Sequence, residues 1–185
     1  STGATSSQPS SGGSAGATGY LTVKDAGSVL QAKGQVTVED SGVGHLLIRT
    51  TATVVSGGSA VDASEGFVIG HIATAVGDAV VNGTNSLLSN TGRFIVGDAG
   101  RGELTINASG VVITTPGTAV TNGAEIASQK SADGSTVRVA GAGSQWQIGG
   151  GLIAGNAGDG SQTITAGGTL PATTLDEGDQ AGGGG

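Results

Sequence analysis

The sequence predicts an all-β fold, a right-handed parallel β-helix (β-solenoid) built from three 58-residue sequence units. Three observations lead to this prediction: glycine supplies 38 of the 185 residues, aromatic residues make up 2%, and one pattern recurs at a fixed spacing. So few large side chains would leave the core of a compact globular domain unfilled. Stacked short strands, in contrast, need only a thin aliphatic core.

The repeat is clearest around three glycines. Gly44, Gly102 and Gly160 lie 58 residues apart, and the last two follow the similar segments V-G-D-A-G-R and A-G-N-A-G-D. Further residues of one type recur at the same spacing: Val23, Val81 and Val139; Ser28, Ser86 and Ser144; Gly34, Gly92 and Gly150. Extended without gaps, the alignment places Phe67-Val68-Ile69 on Glu125-Ile126-Ala127. A register held over this length indicates a repeat architecture.

Each unit contains short apolar triplets that predict its strands. Leu21-Thr22-Val23, Val36-Thr37-Val38 and Leu104-Thr105-Ile106 alternate inward and outward, as a strand with one buried face does. In the middle unit we expect strand centres near residues 80, 87, 95, 105, 112 and 119. Helical periodicity is nowhere sustained, so almost no helix is expected.

Strands this short need neighbours above and below, and a coiling chain supplies them. Glycines and Asn-Gly pairs such as Asn82-Gly83 suit the tight corners of such a coil. One 58-residue unit is too long for a single turn of the coil and should contain two or three. The crossover rule for parallel strands makes the coil right-handed.

The motif G-S-x-W/L, followed by a glycine and by V-G-[DN]-A-G-x-G-x-L-T-I, resembles the repeat of autotransporter (type V secretion) passenger domains. PEP-CTERM-associated surface proteins share this repeat. The best matches are residues 86–106, and 143–146 with 152–164; the first unit departs, with Glu39 for glycine and Leu47 for threonine. The resemblance implies a secreted protein of the bacterial cell surface, associated with the outer membrane. It also implies an adhesive or self-associating stalk.

Three segments are expected along the chain. Residues 1–18 are uncharged and rich in Ser, Gly and Thr, which is typical of a flexible segment. Residues 19–170 form the repeat domain, and 171–185 form an acidic, Gly-rich tail that is solvated or caps the coil. Both rims of the coil look like interrupted repeat. This is compatible with a fragment of a longer passenger or with subunits that stack head to tail, and a capped monomer is the remaining alternative.

No catalytic, cofactor-binding or metal site is predicted. His45 and His71 fall in columns that also contain other polar residues, as solvated surface positions do. Asp40, Asp98 and Asn156 form a column that suggests a ladder of calcium ligands. The glycine-rich nonapeptide of calcium-binding solenoids is absent, so a turn-forming role is favoured for this column.

The alternative to a structural module is a β-helix carbohydrate-active enzyme, a polysaccharide lyase or a tailspike-like hydrolase. Such an enzyme needs clustered carboxylates with a cation nearby. Glu39 and Asp40 are adjacent in sequence and point to opposite faces of a strand, whereas Asp62 and Glu65 lie near each other. The arginines occupy scattered columns: Arg93, Arg101 and Arg138. We therefore expect a non-enzymatic protein, and a groove with two carboxylates would favour the enzyme instead.

Composition limits the partners. A net charge of −7 disfavours nucleic acid and anionic membranes, and the absence of cysteine excludes disulfides and thiolate metal sites. No apolar run approaches the roughly 18 residues of a membrane-spanning helix, so no membrane insertion is expected. The expected partners are another copy, through end-to-end or lateral contacts, or a host or neighbouring-cell surface.

Two further candidate binding features are weighed. Trp146 shares a column with Leu30 and Leu88, which favours packing in the core over a sugar-binding platform. Thr51-Ala52-Thr53 is the lone triplet of its kind, which argues against an ice-binding threonine ladder.

Overall fold

The computed structural model describes residues 10–11, 16–57, 65–117 and 121–178, without the side chains of residues 10 and 11. These residues form 18 strands and one 3₁₀ helix, Lys130–Ala132. The strands are β1 Ser10–Ser11, β2 Thr18–Lys24, β3 Val29–Gln31, β4 Val36–Val38, β5 Val43–Arg49, β6 Thr53–Gly57, β7 Glu65–Ile69, β8 Val76–Asn82, β9 Leu87–Thr91, β10 Arg93–Val96, β11 Arg101–Asn107, β12 Val111–Thr115, β13 Asn122–Ile126, β14 Ser135–Ala140, β15 Gln145–Ile148, β16 Gly151–Ala154, β17 Gly160–Thr165 and β18 Leu175–Glu177. The prediction of an all-β chain is confirmed.

The strands form three parallel sheets. Sheet A has the order β1-β4-β7-β10-β13-β16-β18, sheet B the order β2-β5-β8-β11-β14-β17, and sheet C the order β3-β6-β9-β12-β15. The chain visits sheets A, B and C in turn, and we call each such circuit a rung. Rung 1 is β1 to β3, rung 6 begins with β16, and β18 opens rung 7. This is the parallel β-helix that the sequence predicts, and its right-handed sense stays a prediction from the crossover rule.

Two rungs make one sequence repeat. In sheet B, Gly19 pairs with Gly44, Gly44 with Gly77, and Gly77 with Gly102. Rungs of 25 and 33 residues therefore alternate, and together they give the period of 58. The sequence predicts two or three rungs in each 58-residue unit, and the structure has two.

One apolar cluster extends along the axis of the coil. Val23, Val81 and Val139 face inward as predicted, with exposed fractions of 7%, 0% and 0%. The ring of Phe94 stacks on Phe67 at a centroid distance of 4.7 Å and meets Trp146 edge-on at 5.3 Å. Trp146 is fully buried in the core, so its expected packing role is confirmed.

A column of left-handed residues turns the chain from sheet A to sheet B. Its six members have φ between 55° and 80°: Glu39, Gly70, Gly97, Ala127, Gly155 and Gly178. Glycine adopts such φ values without strain, whereas Glu39, the departure noted in the first unit, does not. Glu39 is fully buried, and its Oε1 accepts hydrogen bonds from the backbone N–H of Ser41, at 2.8 Å, and of Gly42. The Glu39 side chain thus stabilises the turn in which it lies.

Sheet A departs from the gap-free alignment by one residue. Phe67 pairs with Phe94, and Phe94 pairs with Ala124. The alignment of Phe67-Val68-Ile69 with Glu125-Ile126-Ala127 is therefore wrong by one position. Gly66 in β7 and Gly123 in β13 have no partner in the pairing of sheet A. The chain from Ile126 to Ser135, which contains the 3₁₀ helix, is one residue longer than its counterpart two rungs earlier, from Ile69 to Gly77. The strand centre expected near residue 119 lies outside the described residues, and the next described strand is β13.

Two strands lie beyond the predicted boundaries of the repeat domain, residues 19–170. β1 pairs with β4 from within the predicted flexible segment, and β18 pairs with β16 from within the predicted acidic tail. The chain around Pro171 is also held, because the Ile148 N–H donates to the Pro171 carbonyl at 2.9 Å. Asp179 lies outside the described residues. The coil therefore includes Asp176 and Glu177.

Candidate functional site

Polar side chains form three ladders on the outer wall of the coil, because each residue lies about 4.8 Å from its counterpart in the next rung. The corner ladder, between sheets A and B, consists of Asp40, His71, Asp98 and Gln129. The sheet B ladder consists of Tyr20, His45, Asp78, Glu103, Thr136 and Ser161. The arginine network consists of Glu65, Arg93 and Glu125. Six of the residues that the sequence singles out lie in these ladders: Asp40, His45, Glu65, His71, Arg93 and Asp98.

In the corner ladder, His71 is held between two carboxylates. Its Nδ1 lies 2.7 Å from Asp40 Oδ1, and its Nε2 lies 3.8 Å from Asp98 Oδ2. Gln129 continues the ladder by donating from Nε2 to Asp98 Oδ1 at 3.1 Å. His71 lies at the surface with its side chain 35% exposed, and carboxylates flank both nitrogens of its ring.

Asp40, Asp98 and Asn156 do not meet at a common point. They lie two rungs apart, which is about 9.6 Å along the axis, whereas the ligands of one Ca²⁺ lie about 2.3–2.6 Å from the ion. Asn156 instead donates from Nδ2 to Glu125 Oε2 at 3.4 Å. Over the described ranges, no three His, Asp or Glu side chains are grouped so that they could hold a metal ion.

The sheet B ladder pairs the second histidine. The ring of His45 stacks on Tyr20 with a centroid distance of 4.6 Å and an interplanar angle of 14°. Its Nδ1 contacts Asp78 Oδ1 in the following rung, and both side chains are 34% exposed. His45 is therefore a partly exposed surface side chain that belongs to a cross-rung pair.

Arg93 bridges two carboxylates outside sheet A. Its Nη1 lies 2.6 Å from Glu125 Oε1, and its Nη2 lies 3.4 Å from Glu65 Oε1. The side chain of Glu125 is only 5% exposed and also accepts a hydrogen bond from Ser128 Oγ at 2.9 Å. Gln35 donates from Nε2 to Glu65 Oε2 at 2.9 Å. Asp62, the acid expected near Glu65, lies outside the described residues.

The ladders join the rungs through contacts between charged side chains. A histidine base needs a ring nitrogen about 2.6–3.2 Å from the hydroxyl of a nucleophile, whereas the partners of the His45 and His71 ring nitrogens within the described residues are carboxylates. Glycoside cleavage needs two carboxyl groups that reach the substrate. Glu125 is buried, and both Glu65 and Glu125 bind Arg93.

Two shallow grooves open on the described surface. One has a volume of about 510 Å³, lies along sheet C and Pro171, and has no titratable lining residue. The other, of about 590 Å³, lies at rung 1, where Lys24 and Asp25 are its charged residues. Thr51 lies at a corner with φ 65°, so Thr51-Ala52-Thr53 is not part of a flat threonine ladder.

Comparison of the chain with protein-family models, curated proteins and solved structures gives no match. Within the ranges that the structure describes, no helix is long and apolar enough to cross a bilayer. The functional argument therefore depends on the coil, its wall and its ends.

Sequence reasoning missed the wall pairs because it aligned residues two rungs apart. His45 and Asp78 are 33 residues apart, His71 and Asp40 are 31, and Arg93 and Glu125 are 32. A search for opposite charges at the spacing of one rung would have found all three pairs. The signal is present in the sequence, at about half the period of the repeat.

Proposed function

We propose that the chain is an exported structural or adhesive module: a non-catalytic β-solenoid that works as a surface stalk or a self-associating surface. The outer wall is the observation that carries this proposal. Its histidines and the Glu65–Arg93–Glu125 group are used in contacts between rungs, which stiffen the coil along its axis. A stiff rod with a paired polar wall suits display and contact better than turnover.

The location and the partners rest on the resemblance of the repeat to autotransporter and PEP-CTERM-associated proteins. It supports secretion to a bacterial cell surface, where the partner is another copy or the surface of a host or neighbouring cell. The acidic balance, with a net charge of −7, supports a partner other than nucleic acid.

Two assays on the purified chain test the proposal together. In the first, beads coated with the chain are mixed with bacterial cells and with each other, and adhesion and clumping are counted against albumin-coated beads. In the second, the chain is incubated with acidic and neutral polysaccharides, and chain length is followed by size-exclusion chromatography. We expect adhesion or clumping and unchanged polysaccharide length.

Depolymerisation would support the carbohydrate-active enzyme instead. The Glu65→Gln variant then tells whether the arginine network is involved, because Glu65 is the more exposed of its two acids. Glu103→Gln is the matched control, since Glu103 is an exposed acid of the sheet B ladder. Beads that neither adhere nor clump, together with intact polysaccharides, would contradict the adhesive function.

A further inference from the structure

Two columns of the apolar core become polar at the C-terminal end of the coil. The inward column of sheet A consists of Val38, Ile69, Val96, Ile126, Ala154 and then Glu177. The inward column of sheet B consists of Leu21, Leu46, Ala79, Leu104, Val137 and then Gln162. Gln162 Nε2 donates to Glu177 Oε1 at 3.1 Å. At the C-terminal end, Gln162 of rung 6 and Glu177 of rung 7 thus form a polar pair at positions where earlier rungs have core residues.

Exposed apolar residues and open strand edges surround this pair. Ile164 and Leu175 continue the core columns of Val139 and Leu152, yet they are 47% and 53% exposed. β17 and β18 are the last strands of sheets B and A, so no described strand pairs with their outer edges. Such an edge is a template for another strand, and an inward-pointing charge is one way in which proteins block it.

The N-terminal end has the complementary character. Its inward column in sheet B begins with the apolar Leu21, and the outer edge of β2 pairs with no described strand. Residues 16–35 contain Lys24, Lys33 and one acid, whereas residues 151–178 contain three acids and no Lys or Arg. Opposite charges at the two ends favour a head-to-tail contact between copies.

The corners between sheets B and C show that the two ends are in phase. In rungs 1, 3 and 5 two left-handed residues are separated by one residue: Asp25 and Gly27, Gly83 and Asn85, Gly141 and Gly143. In rungs 2, 4 and 6 they are adjacent: Thr50 and Thr51, Ala108 and Ser109, Ala166 and Gly167. The rung after rung 6 should be of the separated type, which is the type of rung 1. Rung 1 of a second copy would therefore continue the alternation.

We propose that the two ends of the coil are matched surfaces for head-to-tail addition of a second copy, and that the Gln162–Glu177 pair closes the C-terminal end against it. In a stacked pair, β18 would replace β1 beside β4 of the second copy, where β1 is held by two residue pairs only. The Glu177 carboxylate would then face the apolar Val38 of the second copy and would no longer be in contact with water. A carboxylate in that place is strongly disfavoured. This inference goes beyond the proposed function and limits it: end-to-end contacts are closed in the unmodified chain, so any clumping of coated beads would use lateral contacts of the wall.

The test is the double variant Gln162→Leu/Glu177→Leu, whose mass is measured by sedimentation and light scattering over a concentration series. The unmodified chain should stay at its monomer mass of 17.4 kDa. The double variant should form species at multiples of 17.4 kDa that grow with concentration, because a head-to-tail contact does not close. The matched control is Glu103→Leu/Gln147→Leu, which makes the same changes at exposed wall positions and should stay monomeric.

Proline at the opposite end tests the direction of stacking. The Val43 N–H donates to the Ala17 carbonyl at 2.9 Å, so the odd-numbered residues of β2 bond to β5 and the N–H of Thr22 faces the open edge. Thr22→Pro removes a donor from that edge without breaking a bond to β5. Added to the double variant, it should restore the monomer.

Four outcomes would overturn the proposal. Assembly of the unmodified chain, or a double variant with unchanged β circular dichroism that stays monomeric, would overturn the proposal. Equal assembly of the wall control, or assembly that Thr22→Pro leaves unchanged, would overturn it as well. If the double variant loses its β signal, Glu177→Leu alone takes its place, because Glu177 is exposed. The polysaccharide and bead assays judge the proposed function separately.

Discussion

At the corner between sheets A and B, one residue in each rung must adopt a positive φ. Gly97, with φ +80°, and Ala127, with φ +55°, occupy this position in successive rungs. Glycine-to-alanine at the first and alanine-to-glycine at the second can therefore be compared directly. A Cβ on Gly97 would overlap the side chain of Ser135 as well as strain the backbone. Ala127 already bears that backbone strain, and glycine would relieve it.

We therefore expect Gly97→Ala to lower the free energy of unfolding by about 2–4 kcal/mol, from backbone strain and overlap combined. Ala127→Gly should change it by less than about 1 kcal/mol, because relieved strain offsets the greater freedom of the unfolded chain. Urea unfolding followed by the fluorescence of the single tryptophan, Trp146, measures both values. Similar losses in the two variants would argue against strain at this corner.

The arginine network gives the second prediction at the residue scale. Arg93→Gln leaves the buried carboxylate of Glu125 without its cation, and it should lower the free energy of unfolding by about 3 kcal/mol. Arg93→Gln/Glu125→Gln should recover most of this loss, because no buried charge is left unpaired. Arg138→Gln, at an exposed position, should change stability by less than about 0.5 kcal/mol and serves as the control. A double variant as unstable as Arg93→Gln would contradict the account.

At the scale of the elements, the sequence repeat predicts sheets B and C better than sheet A. Val81 and Trp146 lie in the columns expected for them, because the corners between sheets B and C repeat without length change. Sheet A follows connections of variable length, and a constant spacing cannot represent the shift between Phe94 and Ala124. The ladder pairs were missed for a different reason. Arg93 contacts Glu125 in the adjacent rung, whereas the sequence repeat compares residues that lie two rungs apart.

Deletions test the two-rung unit. Removal of residues 77–134 joins Val76 to Ser135, which takes the place of Gly77 in the register. We expect this shorter coil to keep its β circular dichroism and to unfold at lower urea, because it has fewer stacked interfaces.

Removal of residues 77–101 deletes only one rung but should be more destabilising. It removes Arg93 and keeps Glu125, so that a buried carboxylate loses its cation. It also breaks the alternation of corners. Urea midpoints of the two deletion variants decide the matter, and a more stable one-rung deletion would show that single rungs are the folding unit.

At the scale of the whole molecule, stability should vary along the axis. An interior rung is paired on both sides, whereas the outer edges of rungs 1 and 6 in sheets B and C pair with no described strand. The large aromatic side chains Phe67, Phe94 and Trp146 lie in rungs 3, 4 and 5, so the middle of the coil buries the most apolar surface. In a one-dimensional stack these differences are not averaged over the fold.

Amide hydrogen exchange should therefore be slowest in β8 and β11 and faster toward both ends, with β2, β17 and β18 exchanging first. Mass spectrometry of peptides from each rung measures this profile. Strands β10 and β11 belong to the same rung but to different sheets, and their similar rates would show that position along the axis, rather than local exposure, sets the rate. Equal protection of β2, β11 and β17 would instead mean that the coil opens in one cooperative step, with the aromatic centre no more stable than its rims.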